Sequence, residues 1–125
     1  MNVTEALDRF RADAEGCDLA AFADLNTSMI LCVSASTRHA QEELDALTET
    51  ASAVLDGAVA EGAQSLIGGA KPQTAITMTP VDVRVYLRAS KAHSEALICL
   101  CAPDADLSKV VALGAKTLAS IMAEA

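Results

Sequence analysis

The sequence predicts an α+β sandwich, an α/β fold class in which a five-stranded, mainly antiparallel sheet carries helices on both faces. Apolar residues recur every three or four positions in three segments, and five shorter apolar runs lie between them. One of these runs, 96–102, is apolar at every position, as expected for a central strand covered on both faces. The order is helix, two strands, helix, three strands, helix. The 125 residues predict a single domain spanning 1–125.

The first two helices are predicted from apolar residues at helical spacing. The first begins at Asn2, which forms a capping pair with Glu5, and ends at Gly16. The second is predicted as one long helix that starts at Thr37 and ends at the glycine pair 68–69. Its acidic residues fall largely on the solvent face. Its apolar stripe consists of Ala40, Leu44, Leu47, Ala51, Leu55, Ala58, Gly62 and Leu66.

Five strands are predicted, at 18–24, 29–35, 73–79, 82–88 and 96–102. Turn residues at 25–28 join the first two strands into a hairpin. The fourth strand alternates, and its polar face is predicted to be a solvated surface or a protein contact formed by Arg84, Tyr86 and Arg88. A final helix, capped by Asp104 or Asp106, buries a stripe formed by Leu107, Val110, Val111, Gly114, Leu118, Ile121 and Met122.

Composition excludes several classes of function. The net charge of −8 disfavours binding to nucleic acid or to anionic lipid, because both interactions need Lys and Arg. No apolar run resembles a signal or a membrane span, so we expect a cytoplasmic protein. Its four cysteines are then expected to be free thiols in a reducing compartment.

Cys99 and Cys101 are the strongest candidates for chemistry. At a spacing of two they project from the same face of their strand. Zinc sites usually pair cysteines that have two to four residues between them and add a second pair, whereas Cys99 and Cys101 have a single residue between them. His39 and His93 show no ligand spacing to these cysteines and are expected to be solvent-exposed. Cysteine is also among the residues most often buried, so packing in the core is the favoured interpretation. No cofactor, metal or catalytic residue is predicted.

Nearly the whole chain resembles the Roadblock/dynein light chain family. The resemblance rests on the segment "GCDLAAFADLNTSMILCVSAS" after the first helix, the long second helix, "TAITMTPVDVRVYLRAS", and "EALICLCAPDADLSKVVALGAKTLASI". Family members often have a glycine in the hairpin turn; this chain has none there, and Asn26 is a residue that can adopt the left-handed conformation instead.

The resemblance implies a non-enzymatic homodimer. In the family the long helix and the following strand pair across a two-fold axis and give one ten-stranded sheet. Family dimers are scaffolds and regulators of small Ras-like GTPases, and bacterial members include GTPase-activating partners in polarity and gliding. A small GTPase is therefore the expected partner, and no binding to nucleic acid or to a membrane is expected. The predicted dimer interface consists of Leu47, Ala51, Val54, Leu55, Ala58, Gly62, Thr74, Ile76 and Met78.

Two alternatives remain open. Profilin-like sensor folds share this outline of helices and sheet, so a small-molecule sensor is the first; it would need a cavity with converging polar groups. The second is a thiol or metal protein that uses Cys99 and Cys101. The sequence does not identify the partner, or show whether the protein alters GTP hydrolysis.

Overall fold

The computed structural model describes residues 2–66, 68–69, 72–90 and 94–124. The helices are α1 (Val3–Asp13), α2 (Gln41–Leu55), α3 (Ala58–Leu66) and α4 (Leu107–Glu124). The strands are β1 (Cys17–Asp24), β2 (Met29–Ala35), β3 (Thr74–Met78), β4 (Val83–Arg88) and β5 (Glu95–Cys101). They form one sheet in the order β2-β1-β5-β4-β3, in which every neighbouring pair is antiparallel. The predicted fold class is confirmed, and the fully apolar run is the central strand β5.

Helices cover the sheet from both sides and form two apolar cores. On one face, α1 and α4 pack over a core that includes Phe10, Phe22 and Leu97. On the other face, α2 packs over Leu19, Ala21, Ala23 and Ile98 and contributes Leu44, Leu47, Ala51 and Leu55. Successive residues of β5 alternate between the two cores, which explains why this strand is apolar at each position.

The prediction of one long second helix is wrong, because the structure divides it into α2 and α3 at residues 56–57. Gly57 weakens the helix at this point, and its N–H donates to the carbonyl of Ser52 at 2.8 Å. The guanidinium of Arg88 donates to the carbonyl of Leu55 and to the Asp56 carboxylate, 2.8 Å away. A positive group at the last carbonyls stabilises a helix end, so β4 reinforces the break.

The predicted solvated face of β4 is also wrong at Tyr86 and Arg88, whereas Arg84 is half-buried. Tyr86 is completely buried, and Arg88 is 7% exposed. Both face the side of the sheet that α2 covers, and Tyr86 is part of the core beneath that helix. The alternation of β4 was predicted correctly, but α2 covers the polar face. Tyr86 and Arg88 are buried beneath this helix, where both have hydrogen-bond partners.

Side chains fix the starts of two helices as the sequence predicts. The Asn2 side chain accepts a hydrogen bond from the Glu5 N–H at 2.8 Å. Asp106, rather than Asp104, caps α4 by accepting the Lys109 N–H at 3.2 Å.

The hairpin turn uses a different residue from the one considered in the sequence. Ser28 adopts the left-handed conformation, with φ of 54°, in place of Asn26. The Asp24 carboxylate accepts the Asn26 N–H at 3.0 Å, and this bond holds the pKa of Asp24 below its usual value.

Candidate interaction surface

The outer edge of β3 is an exposed apolar strand edge. In the described part of the chain β3 pairs only with β4, so its other edge has unpaired backbone groups. Thr74, Ile76 and Met78 lie opposite Leu87, Val85 and Val83 and therefore share one face of the sheet. Ile76 is 42% exposed and Met78 is 68% exposed, because they lie at the margin of the sheet. This surface suits association with another strand.

The predicted interface residues divide into two groups. Leu47, Ala51 and Leu55 are buried within the single chain, where they pack α2 on the sheet. Val54 is half-buried, and Gly62 is exposed. The Ala58 side chain lies outside the described residues. Of the predicted interface residues, Val54, Gly62 and the three β3 residues are therefore accessible on the surface of the single chain.

Sequence reasoning missed further exposed apolar side chains, three of which lie on α3 and in the β3–β4 turn. Val59 and Leu66 on α3 are 60% and 86% exposed, and Val81 in the β3–β4 turn is 78% exposed. Leu66 belonged to the predicted buried stripe, but it lies at the end of α3, beyond the break that follows α2, and is exposed. Val81 follows Pro80 in the sequence, and this turn signal was the only local pattern that pointed to an exposed position.

The thiols lie in the core beneath α1 and α4. Cys99 and Cys101 share a face of β5 as predicted, and strand pairing brings Cys17 directly opposite Cys101. A hydrogen bond from Cys101 lowers the pKa of Cys17. A hydrogen bond with Cys99 and burial of the thiol outweigh this effect and raise the pKa of Cys17 to about 12. A bond with Cys17, together with burial, raises the pKa of Cys101. A thiolate nucleophile needs the opposite shift, so these cysteines pack as core residues.

His39 is not the exposed side chain that the sequence predicted. It precedes α2, and its side chain is 12% exposed. Its Nδ1 lies 2.8 Å from the Glu43 carboxylate, and its Nε2 lies 3.3 Å from that of Asp18. The bond to Glu43, followed by the contact with Asp18, raises the pKa of His39. His93, the other predicted candidate, lies outside the described residues.

Comparison with known proteins identifies the fold. No family model and no curated protein matches the sequence. A Roadblock/LC7 domain from Streptomyces avermitilis superposes with a TM-score of 0.81 and 12% identity, covering 99% of this chain and 98% of that one. The gliding protein MglB from Thermus thermophilus gives 0.79 at 21% identity, covering 98% and 90%. Myxococcus xanthus MglB gives 0.76 at 15% identity, covering 98% and 96%.

This chain has the Roadblock/LC7 fold. At these identities the similarity concerns the arrangement of helices and strands.

The Roadblock/LC7 fold of this chain leaves a hollow of about 500 Å³ between the end of α1 and the start of α4. Its charged lining consists of Glu15, Asp104, Asp106 and Lys109. The hollow is open, and three of its eight lining residues are carboxylates, unlike the largely apolar sites that hold small molecules. It does not favour the sensor hypothesis. Within the described residues, no group of His, Cys, Asp and Glu side chains could hold a metal ion.

Across the described residues, none of the helices combines the length and the apolar character that crossing a bilayer requires.

Proposed function

We propose that this protein is a non-enzymatic homodimer that binds a small Ras-like GTPase on a surface shared by its two copies. The observation that carries the proposal is the exposed apolar edge of β3. Monomeric proteins usually protect such an edge with charged side chains or proline, and Thr74–Met78 contains neither.

A second copy is the occupant that fits this edge. Antiparallel pairing of β3 with β3 of another copy would satisfy the unpaired backbone groups and bury Ile76 and Met78. The pairing is self-complementary, as a two-fold dimer requires. Val54 and Gly62 contribute to the same interface, and Ala58 remains a predicted contact. A structure of MglB with this fold has a tetrameric arrangement, at a TM-score of 0.79 and 18% identity, and self-association of that relative supports the proposal.

The GTPase partner is supported by the family resemblance and by the structural similarity to gliding proteins. In the proposed dimer, the acidic outer face of α2 would stay accessible on each copy. Glu42, Asp45 and Glu49 are exposed on that helix and make no contribution to the core. The resulting surface would act by positioning its partner, which requires no catalytic group from this chain.

The dimer is tested with Met78→Asp and its matched control Met29→Asp. Both methionines are well exposed, at 68% and 58%, and they lie on opposite edges of the sheet. Sedimentation velocity should show a dimer for the wild type and for Met29→Asp, and a monomer for Met78→Asp, because each dimer would then bury two unpaired carboxylates in its interface. A Met78→Asp protein that sediments as the wild-type dimer would refute the β3 interface.

The partner is tested by affinity capture from native lysate, once with GDP and once with a non-hydrolysable GTP analogue. Recovery of a small GTPase in one nucleotide state, reproduced with the purified GTPase, supports a regulator or effector scaffold. Capture of no GTPase in either state refutes the partner assignment and leaves the dimer standing.

A further inference from the structure

The opposite edge of the sheet, formed by β2, carries a second exposed apolar surface. Within the described residues β2 pairs only with β1. Met29, Leu31 and Val33 are 58%, 54% and 38% exposed, and Met29–Ala35 contains no charged residue and no proline. The feature of β2 that discourages pairing with another strand is a bulge, in which Leu31 is an extra residue between Ile30 and Cys32. The proposed β3 dimer would leave this edge uncovered.

The two faces of β2 differ in how they are covered. On one face α1 holds the strand through its polar side chains. Thr4 Oγ1 lies 3.0 Å from Cys32 Sγ, and Arg11 Nε donates to Ser34 Oγ at 2.8 Å. On the other face, a notch of about 180 Å³ opens between β2 and the start of α2. The apolar floor of this β2 notch consists of Leu19, Val33, Ala35 and Leu44.

The notch lies where a further strand would place its side chains. A strand that paired with β2 would direct alternate side chains to the α2 side of the sheet. One of them would lie over Val33 and Ala35, which face that side opposite Ala21 and Leu19. An aliphatic side chain there would fill the notch and cover apolar surface that is now exposed.

Charge selects the kind of partner. A further copy paired through β2 would bring the carboxylates beside this edge close to those of its partner, and this local repulsion disfavours a second copy here. Glu43 and Asp18 flank His39 at the rim of the notch, while Arg38 is the cation that also lines it. The residues of α2, Gln41–Leu55, contain four carboxylates and no Lys or Arg. Lys or Arg beside the incoming strand would therefore be attracted to this side of the molecule.

We propose that β2 binds an extended segment of a partner protein by strand addition, with an apolar side chain in the β2 notch and Lys or Arg on the flanks. Main-chain hydrogen bonds supply affinity in this mode, and the side-chain pocket supplies specificity. The site goes beyond the proposed dimer and GTPase function and depends on neither, because it uses the other edge of the sheet.

The test uses two labelled nine-residue peptides with a core of alternating Val, Thr and Leu. One has two Lys on each flank, and the other has two Glu. Fluorescence polarisation should show that the wild type binds the Lys-flanked peptide at least about tenfold more tightly than the Glu-flanked peptide. Hydrogen exchange should slow in the β2 amides and stay unchanged in β3.

Leu31→Glu is the deciding variant, and Met78→Glu is its control on the far edge. The added carboxylate would strengthen simple charge attraction, whereas a blocked edge weakens strand addition. We expect Leu31→Glu to bind the Lys-flanked peptide at least about tenfold more weakly, and Met78→Glu to bind it as the wild type does.

Three results would overturn the proposal. The first is unchanged or tighter binding by Leu31→Glu, which would indicate charge attraction alone. The second is no binding of either peptide up to about 1 mM. The third is a wild-type assembly larger than a dimer that Leu31→Glu dissolves in sedimentation, which would make a further copy the occupant. A monomeric wild type would refute the β3 dimer and leave the peptide result intact.

Discussion

Gly114 on α4 and Gly62 on α3 should respond in opposite ways to substitution by alanine. Alanine in a helix interior is favoured over glycine by up to about 1 kcal/mol, so both variants gain from helix propensity. Within a single chain, a Cβ at Gly62 meets no atom within 4 Å. A Cβ at Gly114 would lie 2.4 Å from Leu87 Cδ1 and 3.3 Å from Leu97 Cδ2. Only the second site must therefore rearrange.

The rearrangement at Gly114 should outweigh the gain in propensity. Leu87 is 3% exposed and packed within the core beneath α1 and α4, so its displaced methyl group has little room. Overpacking of a well-packed core costs about 1–3 kcal/mol. After the propensity gain is subtracted, we expect Gly114→Ala to lower the free energy of unfolding by up to about 2 kcal/mol, and Gly62→Ala to raise it by up to about 1 kcal/mol.

Urea denaturation monitored by circular dichroism measures both changes. Because unfolding of a dimer depends on concentration, all three proteins are compared at one protein concentration, with their oligomeric state checked by sedimentation. For a chain of this size the melting temperature should move by about 4 °C for each kcal/mol. Equal stabilisation by the two substitutions would show that α4 does not approach β4 and β5 as closely as the structure has it.

Two further predictions concern buried or shielded charges. Arg88→Met should destabilise the fold by at least about 2 kcal/mol in urea denaturation, since it removes the cation beside the end of α2 and its bond to Asp56. The control Arg84→Met should cost under about 1 kcal/mol, because the Arg84 side chain is 35% exposed and its ion pair with Asp82 is 3.4 Å long. If both cost the same, Arg88 does not stabilise the helix break. For His39 the folded pKa is raised, so its stabilising contribution is fully present below the unfolded value of about 6.5 and is lost as pH rises through the folded pKa. The stability difference between wild type and His39→Gln should shrink across that interval, and a difference that grows with pH would contradict the contact with Glu43.

Periodic elements were predictable from the sequence because their signals are local. Asn2 caps α1, the glycine pair follows α3, and the fully apolar run 96–102 overlaps the central strand, as expected. Each of these features depends on residues within a few positions of one another. Alternation also placed the residues of β4 on their correct faces.

The candidate surface was predictable only in part. The family resemblance assigned Thr74, Ile76 and Met78 of β3 to a dimer interface, and the structure places them on an exposed edge strand. The sequence could not separate Leu47, Ala51 and Leu55, which α2 uses to pack on its own sheet, from residues available to a second copy. An apolar stripe on a helix shows that the helix is covered, but does not identify what covers it.

Apart from the break between α2 and α3, the sequence by itself determined the types and order of the elements, because periodicity, caps and turn residues act over short distances along the chain. Only the tertiary structure decided which polar residues are buried and which apolar residues are exposed. Arg88 is buried because the end of α2 lies above it, 33 residues away along the chain. Cys17 meets Cys101 through strand pairing, and the β2 notch forms where a strand and a helix from different segments meet. Contacts between distant segments depend on how elements stack in space, and local residue patterns do not encode that arrangement.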